Sequence, residues 1–131
     1  MKPCTIYLAG PMRGYPLFNF PAFEVAENAL VALGFKVISP ARHDLDAGFD
    51  PKLTLEENER LHAFDLKAHM AWDLRVILSE ECQGVILMPG WRNSTGCRNE
   101  VLVAQTAGRP VFELTEEGLR PMNEPVRALL Q

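Results

Sequence analysis

A doubly wound α/β fold is predicted by three features of the sequence. Short apolar, β-favouring runs alternate with stretches of helical periodicity. Gly, Pro, Ser and Asn punctuate almost every change between them. Residues 84–108 form a complete strand–loop–helix unit, whose loop sits where open α/β sheets take their ligands.

The first strand is expected over Thr5–Ala9, ended by Gly10-Pro11, and residues 10–19 form a turn-rich loop. Pro21 suits a first helical turn, and Phe23, Ala26, Leu30 and Leu33 make an apolar stripe with Glu24, Glu27 and Asn28 opposite. Gly34 closes that helix. Residues 35–38 read as the second strand, stopped by Ser39-Pro40. Residues 40–53 lack a period and are expected to be a long loop able to close over a site. Thr54-Leu-Glu-Glu57 is a capping box, and helical patterning runs on to about Glu81 with a break expected near 64–70.

Residues 85–88 give the third strand, and a helix begins near Ser94 or Thr95. Residues 110–114 give the fourth strand, and 123–130 a terminal helix or a compressed strand and helix. The order implies a flavodoxin- or Rossmann-like parallel sheet of four to five strands with helices on both faces, in one domain over 1–131. Right-handed crossovers then place the 10–14 loop beside the 89–96 loop.

The bulk numbers exclude several function classes. The 131 residues are 47% hydrophobic and carry a net charge of −4, which gives no electrostatic footprint for a nucleic-acid polymer or an anionic membrane. Cys4, Cys82 and Cys97 are odd in number and scattered, and His43, His62 and His69 make no metal-binding motif. No metal or organic cofactor is expected. No apolar run reaches membrane length and residues 1–9 are too short for a signal peptide, so a cytoplasmic location is expected.

Within the helix after the third strand, Gly96, Glu100, Val103, Ala104 and Ala107 share a face. Glu100 therefore points with the small apolar residues, toward the sheet and near the helix's positive end. There the dipole and backbone N–H groups are expected to hold it ionised, ready to attack or to steady a cation. The alternative is a first-turn Glu that only complements the dipole. Asp73 borders the buried stripe of Met70, Leu74 and Ile77, or pairs with Lys67 or Arg75 at the helix edge. Tyr7 and the loop Gly10-Pro-Met-Arg-Gly14 form a third piece. Its glycines let N–H groups approach an anion and Arg13 adds a bidentate donor, unless Arg13 is merely solvated. Two carboxylates beside an anion loop suit glycosyl chemistry.

Tyr7-Leu-Ala-Gly-Pro-Met-Arg-Gly14, Asp73 and Gly96-Cys-Arg-Asn-Glu100 resemble the nucleoside 2-deoxyribosyltransferase superfamily, which includes the 2′-deoxynucleoside 5′-phosphate N-hydrolases. The resemblance runs over essentially the whole chain. It is nearest to a small uncharacterised branch common in phages and bacteria. It implies cleavage of the N-glycosidic bond of a deoxynucleoside or its monophosphate, in a homodimer or larger assembly. It also implies Glu100 as nucleophile, Asp73 at the base, Tyr7 positioning Glu100, and Gly10, Met12, Arg13, Gly14, Ser94 and Gly96 about the sugar and phosphate. Ser94 stands where the transferases tend to carry Asp and the monophosphate hydrolases Ser. That favours a nucleotide, because a neutral hydroxyl does not repel a 5′-phosphate. The interval from Asp73 to the third strand is about one helical turn longer than in those hydrolases, which slides the carboxylate by about 5 Å. Trp91 either stacks on a base or ribose or fills a dimer contact. Base exchange between deoxynucleosides and non-catalytic nucleotide sensing are the alternative functions.

Overall fold

The computed structural model describes residues 2–124. A five-stranded sheet in the order β2-β1-β3-β4-β5 forms its centre, built from β1 (Thr5–Ala9), β2 (Lys36–Ile38), β3 (Gly84–Leu87), β4 (Val111–Thr115) and β5 (Gly118–Pro121). The first four strands pair in parallel, with Tyr7 opposite Ile38 on one side and Val85 on the other. β5 pairs antiparallel to β4, so the all-parallel expectation is corrected at this edge. The turn that reverses the chain is tight. Gly118 takes a φ of +112°, and the Thr115 hydroxyl donates to the Gly118 carbonyl over 2.7 Å. A terminal helix or strand over 123–130 falls almost wholly outside the described residues.

Helices cover both faces: α1 (Phe20–Ala32), α2 (Pro40–Asp46), α3 (Leu55–His62), α4 (Leu66–Leu78) and α5 (Thr95–Thr106). Period-two alternation along β1 divides the core. Ile6 and Leu8 pack with Phe23, Leu30 and Phe49, while Tyr7 and Ala9 pack with Ile77, Val101 and Ala104. Tyr7 is thereby delivered to the face covered by α4 and α5. On α1 the stripe of Phe23, Ala26 and Leu30 is buried as expected, but Leu33 is 67% exposed. It follows the last turn as the C-cap, just before Gly34 (φ +99°) redirects the chain.

The expected loop over 40–53 is corrected. Ser39 is an N-cap, its hydroxyl accepting from the Arg42 N–H, and Pro40 fills the first helical position of α2. The remainder, 47–54, is not a free flap. Asn58 is fully buried, donates to the carbonyls of Asp50 and Thr54 (2.9 Å each), and accepts from the Asp50 N–H at 2.7 Å. Asn58→Ala leaves those buried groups unpaired and is expected to cost about 2–4 kcal/mol, read as a lowered urea midpoint at unchanged m-value.

The break in the long helical run falls at 63–65. Ala63 adopts a left-handed φ of +52°, and the Asp65 side chain restarts the helix by accepting from the Ala68 N–H. Among the described residues, no helix is long and apolar enough to cross a membrane.

Candidate functional site

Strand order reverses direction at β1, whose neighbours are β2 and β3. At the carboxyl ends of these strands opens a cavity of about 510 Å³, within the usual range for small-molecule sites. The 10–14 and 89–96 loops meet there as expected. Gly90 takes a left-handed φ of +88°, strained for any other residue, and a Cβ there would lie 2.6 Å from the Tyr15 hydroxyl and displace it. Asn19 fixes the first loop further by donating from Nδ2 to the Pro11 carbonyl at 2.9 Å.

Tyr7, Gly10, Met12, Arg13, Asp73, Ser94, Gly96 and Glu100 all border this cavity; Gly14 and Trp91 do not. Gly10 has a packing reason beyond backbone access, because a Cβ there would lie 2.5 Å from Met88 Sδ and 3.0 Å from Phe23. Gly14 supplies a left-handed turn (φ +83°) with open space around it. Ser94 is the N-cap of α5, its hydroxyl accepting from the Cys97 N–H at 3.2 Å. Arg13 is exposed at the rim and makes no salt bridge among the described residues.

Trp91 is corrected from a ligand or dimer contact to a core residue. Its ring is 4% exposed in the α4/α5 core, and Nε1 donates to Glu113 Oε1 at 2.9 Å. Burial opposes charge on Glu113, but hydrogen bonds from Arg120 and Trp91 hold its carboxyl below the usual range. The polar edge of Trp91 is thus satisfied inside the fold.

Glu100 sits at the centre. The buried stripe of α5 is Cys97, Val101 and Ala104, and Glu100 lies between the first and last of these, three and four residues away. Gly96 is exposed and Val103 and Ala107 half-buried, so the buried face is turned slightly from the one the sequence suggests. The Tyr7 hydroxyl donates to Glu100 Oε2. Burial pushes the Glu100 carboxyl up to about 7, against the Tyr7 hydrogen bond that favours the ionised form. The expected hold of the helix dipole on the ionised Glu100 is thus opposed by burial. Glu100 is the sixth residue of α5, beyond the first turn in which the dipole field is strong.

Asp73 on α4 borders the same cavity, and neither Lys67 nor Arg75 forms an ion pair with it among the described residues. The longer interval before β3 does not remove it from the site. Its Oδ1 is buried without a hydrogen-bond partner. Burial, with the negative charges of Glu100 and Asp44 adding to it, raises the carboxyl to about 8, while the nearby Tyr7 hydroxyl pulls the other way. Tyr7 is fully buried, and burial followed by the Glu100 charge raises its own pKa well above the usual phenol value. Burial and mutual repulsion therefore raise both carboxyls, and the Glu100–Asp73 pair keeps a proton between them at neutral pH.

Asp44 and His69 were not singled out by sequence, yet both border the cavity. His69 Nδ1 lies 2.6 Å from Asp44 Oδ1. Asp44 is carried by α2, so its role depends on the helix that the 40–53 reading missed; Ser39-Pro40 was the available signal. Among the described residues, no three His, Cys, Asp or Glu side chains are grouped to hold a metal ion. A separate hollow of about 360 Å³ lies against α1 and α2, spanned by the Arg42–Glu27 ion pair (2.9 Å).

No curated protein matches the chain. A family model described as Domain of unknown function (DUF4406) matches residues 4–113, from the start of β1 into β4 and including Tyr7, Asp44, His69, Asp73 and Glu100; the chain belongs to that family.

Proposed function

We propose that the protein cleaves the N-glycosidic bond of a 2′-deoxynucleoside 5′-monophosphate, releasing the base and deoxyribose 5-phosphate. The observation that carries this reading is the pairing of Glu100, held by Tyr7 in a ligand-sized cavity, with a second buried carboxyl, Asp73, both raised by burial. Both are needed at once. The Glu100 carboxylate attacks C1′ as the C1′–N bond breaks, and the departing base takes the proton of Asp73. Water, giving its proton back to Asp73, then opens the glycosyl ester, adds hydroxyl to C1′ and restores Glu100.

Tyr7 keeps the attacking oxygen aimed and stabilises its charge without leaving the core. Gly10, Met12, Arg13, and the first turn of α5 at Ser94 and Gly96 offer N–H and guanidinium donors at the cavity, suited to the 5′-phosphate. The resemblance of these residues to deoxyribosyltransferases and monophosphate N-hydrolases supports the same reading, and Ser94 favours a nucleotide over a nucleoside.

The test is incubation with the four deoxynucleoside monophosphates, the corresponding nucleosides and their ribo counterparts, with free base measured by chromatography. Release from monophosphates above nucleosides is the expected result. Adding a second base separates hydrolysis from transfer, because exchange yields a new nucleotide. No base from any compound would overturn the proposal.

A further inference from the structure

The cavity has two flanks, set by the strand order β2-β1-β3. On the β3 flank stand the anion-suited groups, Ser94 and Gly96 at the start of α5. The opposite flank is lined by Asp44 of α2 and by Phe64, Leu66, His69 and Met70 around the start of α4. Glu100, Tyr7 and Asp73 lie between. A nucleotide whose C1′ meets Glu100 and whose phosphate lies on the β3 flank must direct its base to the β2 flank.

That flank is apolar apart from the Asp44–His69 pair. His69 is tied through Nδ1 to Asp44 at 2.6 Å and braced by the Phe64 ring, with centroids 4.3 Å apart. His43 stands behind it at 5.1 Å, itself stacked on Trp72 at 3.5 Å with only 4° between the planes. In the neutral tautomer that gives Nδ1–H to Asp44, the lone pair lies on Nε2. Nε2 has no partner among the described residues, yet it is not one of the sealed-off polar atoms. His69 also precedes Asp73 by four residues on α4, so the two occupy one helix face, one turn apart.

We infer that His69 is a specificity-determining residue that accepts a hydrogen bond from an N–H on the nucleobase through Nε2, and that Asp44 is the positioning residue that fixes its ring. The inference rests on the glycosidase reading for the direction in which the substrate lies. The ligand class it adds is a base with an N–H donor on the edge remote from the sugar, packed among Phe64, Leu66 and Met70. Every group in this set is carried by α2, the start of α4 or the break just before it, distinct from the element that bears Glu100 and Ser94.

The experiment is calorimetric titration of the intact protein with the best deoxynucleoside monophosphate and, separately, with base-free deoxyribose 5-phosphate. His69→Asn retains a group to reach Asp44 but removes the Nε2 position, whereas His69→Gln places a polar atom near it. The expected result is an affinity for the nucleotide lowered roughly 10- to 100-fold by His69→Asn, with partial recovery in His69→Gln and unchanged affinity for the sugar phosphate. Asp44→Asn is expected to weaken nucleotide binding several-fold with the same selectivity. Equal loss for both ligands, or no loss for either, would overturn the inference. The glycosidase reading fails separately, if wild-type protein binds nucleotide but releases no base; the binding comparison still decides the role of His69. Failure of wild-type protein to bind any nucleotide would overturn both.

Discussion

Glu100→Gln is expected to lower kcat/KM for base release by roughly 10³-fold or more while leaving the fold intact. The substitution is nearly isosteric, and the amide still accepts the Tyr7 hydrogen bond through its carbonyl oxygen. What is lost is the anionic oxygen that forms a bond to C1′. Nucleotide affinity should change far less than turnover, because the proposed contacts to phosphate and base are made by other residues. Stability provides an internal control. The Glu100 carboxyl is raised to about 7 by burial, so the wild-type fold is penalised when this group ionises. A neutral amide escapes that penalty, and Glu100→Gln should melt higher than wild type above pH 7 and about equally near pH 4. Loss of activity with gain of stability is the signature of a group kept for chemistry rather than for folding.

Asp73→Asn is expected to cost roughly 10²- to 10⁴-fold in kcat, the usual range for a general acid, and to change the shape of the pH profile. For wild type, kcat/KM should follow a narrow bell near neutral pH, its two limbs set by the coupled pair of carboxyls that burial raises to about 7 and about 8. The variant should keep the acid limb and lose the alkaline one. Stability again has a definite sign. The folded-state pKa of Asp73 is raised above the ordinary 3.8, so its favourable contribution is complete below about pH 4 and is lost as pH climbs toward about 8. Above pH 8 the asparagine variant should be more stable by an amount on the order of a few kcal/mol, and near pH 4 the two proteins should unfold together. The orphaned Oδ1 points the same way, since a buried carboxylate oxygen without a donor is costly.

Much of this arrangement was legible in the chain because it depends on local chemistry. Ser94 and Thr54 announce their helices by capping, and the β1, β3 and β4 runs are apolar because those strands are covered on both faces. Glu100 could be placed from helical spacing alone, and its approach to Tyr7 follows once strand alternation turns Tyr7 to the α5 side. The pairing of Asp44 with His69 could not be read, because it joins residues 25 apart in sequence across two helices. One of those helices was hidden in a stretch with too short a period to register. Trp91 misled for a related reason. An aromatic residue after Pro-Gly in a polar loop looks available to a ligand, and only the fold reveals that Glu113 on β4 waits for its indole N–H. The environment of Glu100 was legible only in part. Its position near a helix start was visible, but the extent of burial that raises it to about 7 is a tertiary property.

The measurement that bears most directly on Glu100 as nucleophile is intact-protein and peptide mass spectrometry after reaction with a 2′-fluoro-arabino nucleotide. Its electron-withdrawing fluorine slows breakdown of the glycosyl ester more than the release of a good leaving base. A mass gain equal to the fluorinated sugar phosphate less one water, localised to Glu100 and absent in Glu100→Gln, is the expected result. Base release from that compound by an unmodified protein, or a label on any other residue, would contradict it.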